Sequence, residues 1–167
     1  GHYRRILRDG DRILDLMSSW VSHLPESLRP GHVTGHGMNA AELRANPRLD
    51  AHFLQNLNEN PVLPFEDAGF DACLLAVSVQ YLTDPVAVLR EAGRVIRPGG
   101  RIAISFSNRM FPTKAVALWR ALGNAAHGEL VSGYLALTGR FAPADIVDLS
   151  PNPGRSDPLW VVDGLRL

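Results

Sequence analysis

The clearest hydrophobic signal along the chain is FDACLLAVSV at 70–79, an almost unbroken apolar run. A run without alternation predicts a strand buried on both faces, as in the middle of a parallel sheet. Residues 12–17 and 101–107 read the same way, and 32–38 and 51–57 have weaker strand character. Between the strands the period changes. NAAELRAN at 39–46 predicts a short helix, with Asn39 as its N-cap, Glu42 three residues on and Pro47 as the stop. Asp84 predicts a second cap, with Pro85 at the first helical position. Val86, Leu89, Ala92, Gly93 and Ile96 then share one face. Pro98-Gly99-Gly100 terminates that helix. Residues 112–122 and 129–137 predict a helical pair, separated by GNAAHG. Residues 144–150 and 159–167 predict an antiparallel pair of strands joined by a Pro/Gly/Asn/Ser-rich turn. Strands alternating with helices imply an α/β sheet with right-handed crossovers.

Composition narrows the class. A chain of 167 residues, nearly half of them apolar, predicts a single domain over 1–167 with one sizeable core. The formal net charge is zero, so no global pull toward nucleic acid or anionic membrane is expected. No apolar stretch approaches the roughly 18 residues of a membrane span, and no signal-peptide pattern opens the chain. Cys73 is the only cysteine and sits in an apolar run, which predicts a buried inert thiol and a cytoplasmic, reducing setting. Gly1-His2 reads as a tag remnant, so the chain is expected to begin part-way into a longer protein. The six histidines have no metal-ligand spacing, and no metal site is predicted.

Several short motifs agree over some forty residues. Leu63-Pro64-Phe65, then Phe70-Asp71, then Arg94-Val95-Ile96-Arg97-Pro98-Gly99-Gly100 resemble, in order and spacing, the central third of a class I S-adenosylmethionine-dependent methyltransferase. The resemblance implies a Rossmann-like methyltransferase fold: a mostly parallel seven-stranded sheet with an antiparallel C-terminal strand and helices on both faces. The pair at about 112–140 is then a helical insertion. The implied cofactor is S-adenosylmethionine.

The first strand departs from that family. There it ends in an acid followed by two glycines, which let the backbone approach the methionine part of the cofactor. Aligned on Asp15, the glycine positions hold Met17 and Ser19, whose side chains restrict positive φ and take up ligand space. The second strand departs too. The family acid that hydrogen-bonds both ribose hydroxyls is replaced by Gly37, with Met38 next, and no acid appears before Glu42. Asn56, Leu57 and Asn58 take the place of an adenine contact, with amides that both donate and accept. Two readings follow. In one, Met17 and Trp20 fill a decayed pocket and the fold is a non-catalytic binding or interaction module. In the other, Ser18 and Ser19 contact the cofactor carboxylate in a divergent enzyme.

Ligands of open α/β sheets sit outside the carboxyl ends of the strands. That rule adds Val77 and Ser78 to the cofactor side, and Tyr81 to the acceptor side. Asn108 and Arg109, with Lys114, follow the fifth long apolar run and suit a carboxylate or phosphate on a small-molecule acceptor. A bland role stands beside each: Arg109 capping backbone carbonyls, Asn108 holding a turn, Tyr81 packing under a loop. Methyl transfer to a good nucleophile needs mainly alignment, and no catalytic residue is assigned.

Overall fold

The computed structural model describes residues 1–76, 78–107, 117–122, 124–152, 155 and 158–167. Seven strands form one sheet in the order β3-β2-β1-β4-β5-β7-β6. They are β1 (Arg12–Leu16), β2 (His32–Gly37), β3 (Ala51–Leu54), β4 (Phe70–Ala76), β5 (Ile96–Phe106), β6 (Asp145–Asp148) and β7 (Trp160–Leu165). The first five run parallel; β7 is antiparallel to both β5 and β6. The Rossmann-like sheet with an antiparallel C-terminal pair is therefore present. Helices α1 (Tyr3–Ile6), α2 (Ala40–Ala45), α3 (Pro85–Val95), α4 (Ala117–Ala121) and α5 (Asn124–Thr138), with a 3-10 turn at Val79–Tyr81, complete the described elements. No described helix is long and apolar enough to cross a membrane.

Alternation along the strands divides the core in two. Leu14, Leu16, Cys73, Leu75, Ile102 and Ile104 pack on one face with Leu89, Ala92 and Val95 of α3 and Val131 and Leu135 of α5. Ile13, Val33, Leu74 and Ala103 face the other way, toward Leu7, Leu24 and Leu28. Both expected caps are made: Asn39 Oδ1 accepts from Glu42 N–H at 3.2 Å, and Asp84 Oδ1 from Ala87 N–H at 3.1 Å.

Two elements begin earlier than the sequence expectation. The helix expected at 129–137 begins at Asn124, so most of the separating GNAAHG is helical. Strand β5 begins at Ile96, which pairs with Phe70 before the register shifts across the Pro98-Gly99-Gly100 excursion. A Cβ on Gly100 would lie 2.5 Å from the Asp71 carbonyl oxygen, so that excursion admits no larger residue. Between β1 and β2 there is no helix; a loop fills the space with Leu24 and Leu28.

The resembling motifs are one physical clamp. The Arg94 guanidinium donates to Leu63 O at 3.0 Å, Phe65 O at 2.8 Å and Asp67 Oδ1 at 2.8 Å, and pairs with Glu91 at 2.8 Å. Glu91 Oε1 in turn accepts the Leu63 N–H at 2.9 Å. The clamp holds the loop from β3 to β4 against α3.

Candidate functional site

Strand β1 ends at Leu16, and the chain turns sharply at Met17, whose φ is +54°. This left-handed conformation normally calls for glycine and costs another residue about 1–2 kcal/mol. Two hydrogen bonds to His36 hold it. The Met17 N–H donates to His36 Nδ1 at 2.9 Å, and the Ser18 N–H donates to His36 O at 2.6 Å. The expectation that a side chain here restricts positive φ therefore meets a different outcome: the glycine-like turn is kept, and strand β2 supplies the restraint.

His36 is buried, and its Nε2 lies 2.7 Å from Gln55 O. A carbonyl only accepts, so Nε2 carries the proton and Nδ1 is free to accept from Met17. Burial holds the imidazole below its ordinary pKa, opposed by the bond to Gln55, which agrees with this neutral tautomer.

Below the turn lies a second polar network. Asp15, buried on the Ile13 face, accepts the Ser18 hydroxyl at 2.8 Å and the Ser22 hydroxyl at 2.6 Å. Asn46 Nδ2 donates to the Ser22 oxygen at 3.0 Å and to Ser19 O at 2.9 Å. Burial raises the Asp15 pKa and the two hydroxyls oppose it. The glycine-free loop is thus tied to β1, β2 and the end of α2 without a helix of its own.

Above the carboxyl ends of the strands a cleft of about 720 Å³ opens. That volume falls in the range of about 300–1,000 Å³ usual for small-molecule sites. Its lining brings together Met17, Ser18, Ser19, Gly37, Met38, Asn56, Leu57, Asn58, Ser78 and Tyr81. Asp15 does not line it; its carboxylate is spent on the two serines. Val77, Asn108, Arg109 and Lys114 lie outside the described residues. Trp20 is 55% exposed and does not fill the cleft.

The lining groups differ in what they have left to offer. Asn58 is committed at both ends of its amide, donating to Tyr81 O and accepting from Thr83 N–H, each at 3.0 Å. Asn56 Oδ1 accepts the Asn58 N–H at 3.0 Å, leaving its Nδ2 donors available. The Ser78 hydroxyl is buried in the wall with no protein partner. A buried polar atom without a protein partner is uncommon. Ser18 keeps only acceptor capacity, because its proton goes to Asp15.

The sequence reading did not assign His23, Gln55 or Glu42 to the cleft, and all three line it. Glu42 was legible as a helix-cap residue only. The first turn of a helix that follows a strand faces the crevice at the strand's carboxyl end, and that was the signal available. Among the described residues, Glu42 is the only carboxylate in the lining, and no lysine or arginine joins it. Among the described residues, no group of three His, Cys, Asp or Glu side chains is arranged to hold a metal ion.

A methyltransferase-domain family model matches residues 21–104, half of the chain, beginning within the loop that follows β1. The demethylmenaquinone methyltransferase of Listeria welshimeri is 30% identical over 106 residues, covering 58% of this chain and 45% of that protein. The chain thus spans about half the length of this curated relative. Among solved structures, an S-adenosylmethionine-dependent methyltransferase from Mesorhizobium loti superposes with a TM-score of 0.67 at 15% identity, covering 99% of this chain and 96% of that one. Geranyl diphosphate C-methyltransferase from Streptomyces coelicolor, solved with S-adenosyl-L-homocysteine, has a TM-score of 0.66 at 16% identity and covers 99% of this chain and 76% of that one.

Proposed function

Because the chain belongs to the methyltransferase-domain family, we propose that its cleft binds S-adenosylmethionine and that it transfers the methyl group to a small-molecule acceptor. The observation that carries this reading is the cleft of about 720 Å³ lined by the first-strand loop, the ends of β2 and β3, and Ser78 after β4. A decayed pocket would be filled by Met17 and Trp20. The exposure of Trp20 and the remaining volume favour a working one.

When bound, the cofactor supplies an activated methyl group on a sulfonium. The chain's own contribution is to hold and orient. The turn at Met17 and Ser18, pinned by His36, presents backbone and a serine oxygen to the methionine end. The free Nδ2 of Asn56 meets an acceptor on the base, while Asn58 braces the loop that carries it. Ser78 offers its unpartnered hydroxyl from the opposite wall. Tyr81 and the segment with Asn108 and Arg109 serve the acceptor, which is then a small anion. In a site that aligns two reactants, positioning supplies most of the acceleration.

Isothermal titration of the purified chain with S-adenosylmethionine and S-adenosylhomocysteine tests the reading. Saturable binding of either at micromolar to submillimolar concentration is expected. No heat of binding up to millimolar ligand would sink it.

A further inference from the structure

Gly37 ends β2, where the family resemblance expects an acid for the ribose. No side chain fits there. A Cβ on Gly37 would lie 2.8 Å from the Ser18 carbonyl oxygen and 3.3 Å from Leu43 Cδ2. The Ser18 carbonyl stands in that space because the Ser18 N–H is bonded to His36 O at 2.6 Å and Met17 takes φ +54°. The glycine-free loop and the missing acid are therefore one rearrangement. Once the loop leans on β2, β2 cannot carry the acid.

Among the described residues, the cleft still holds one carboxylate. Glu42 lies in the first turn of α2, five residues beyond Gly37, and lines the same cleft. Its backbone N–H is fixed by the Asn39 cap at 3.2 Å. Its side chain is half-buried, and among the described residues no lysine or arginine lines the cleft or pairs with it. A carboxylate in a cleft wall with no ion-pair partner needs hydrogen-bond donors for its two oxygens. Neutral hydroxyl donors arriving with a ligand meet that need, and two vicinal hydroxyls match its two oxygens.

We infer that Glu42 has taken over recognition of the ribose 2′- and 3′-hydroxyls, from helix α2 instead of strand β2. This rests on the cofactor reading above. It assigns the site a requirement for an intact ribose diol that the end of β2 does not supply. It also explains why a glutamate, with the longer acidic side chain, serves from a position set back on a helix.

The test is isothermal titration of the full chain and of Glu42→Gln, each with S-adenosylhomocysteine and with its 2′-deoxy analogue. The wild-type chain should bind the intact ligand at least about 10-fold more tightly than the deoxy analogue. Glu42→Gln should lose about 10- to 100-fold for the intact ligand, the range of a charged hydrogen bond, and much less for the analogue, so that discrimination collapses. Equal losses on both ligands would mean a structural role and overturn the inference. Retained discrimination in Glu42→Gln would overturn it as well. A wild-type chain that binds both ligands equally tightly refutes the role of Glu42 while leaving the cofactor reading intact; one that binds neither refutes both.

Discussion

Replacing His36 with leucine tests the central claim about the loop. The imidazole accepts the Met17 N–H at 2.9 Å and donates to Gln55 O at 2.7 Å, and both partners lose their bond in His36→Leu. A buried backbone group without a partner costs about 1–3 kcal/mol, so the two together cost about 2–6 kcal/mol. The tilted ring contact with Phe53, at 5.1 Å between centroids, is also lost, worth about 0.5 kcal/mol or more. The apolar leucine offsets about 1–2 kcal/mol by its own burial. A net loss of about 3 kcal/mol follows, or a fall in Tm of about 6–12 °C at roughly 2–4 °C per kcal/mol for a chain of this size. The same side chain carries a pH dependence. Burial holds the folded imidazole below its ordinary value, so between the folded value and about 6.5 the unfolded chain binds a proton that the folded chain does not. The stability linked to His36 is complete above about pH 6.5 and is lost as pH falls toward the folded value, by up to about 1.4 kcal/mol per unit. Urea unfolding of both proteins at pH 8 and pH 5.5 reads both effects. The gap should be about 3 kcal/mol at pH 8 and narrower at pH 5.5, because only the wild-type chain has this imidazole to protonate. A gap below about 0.5 kcal/mol at pH 8, or one that does not change with pH, would show that His36 does not hold the turn.

Arg94→Ala removes the donor to Leu63 O, Phe65 O and Asp67 and leaves Glu91 without its cation. A loss of about 2–3 kcal/mol is expected, read as a lower denaturation midpoint with an unchanged m-value; a shift below about 0.5 kcal/mol would mean that the clamp is ornamental. Gly37→Ala places a Cβ 2.8 Å from the Ser18 carbonyl oxygen. The loop must move, at about 1–3 kcal/mol, and ligand affinity in the cleft should fall with it; unchanged affinity for S-adenosylhomocysteine would contradict the interlock between loop and strand.

Much of the architecture was legible before any coordinates. The apolar run at 70–79 holds a central strand, Phe70–Ala76, because continuous apolar sequence has nowhere else to go. Asn39 and Asp84 are the caps because their short side chains reach a backbone N–H three residues on. The early start of α5 was missed because the glycines in GNAAHG read as breakers, although packing overrides that local preference: Gly128 lies against Ile146 of β6, where a Cβ would come within 2.9 Å. The early start of β5 was missed because Pro98-Gly99-Gly100 marks a stop in local terms, while Ile96 pairs with Phe70 across the excursion.

By itself, the order of residues determined the alternating strands and helices, the antiparallel end of the sheet, the family, and which loops meet at one edge. Those features are written in local periodicity, caps and short motifs, which act between residues close in the chain. The working shape of the cleft was decided elsewhere. Whether Met17 tolerates a left-handed turn depends on His36, nineteen residues away on another strand. Whether β2 carries an acid depends on where the Ser18 carbonyl lands, and which carboxylate serves the cleft depends on how α2 leaves β2. Each is a contact across the sheet edge, made only when β1 and β2 lie in register, and no local pattern encodes it.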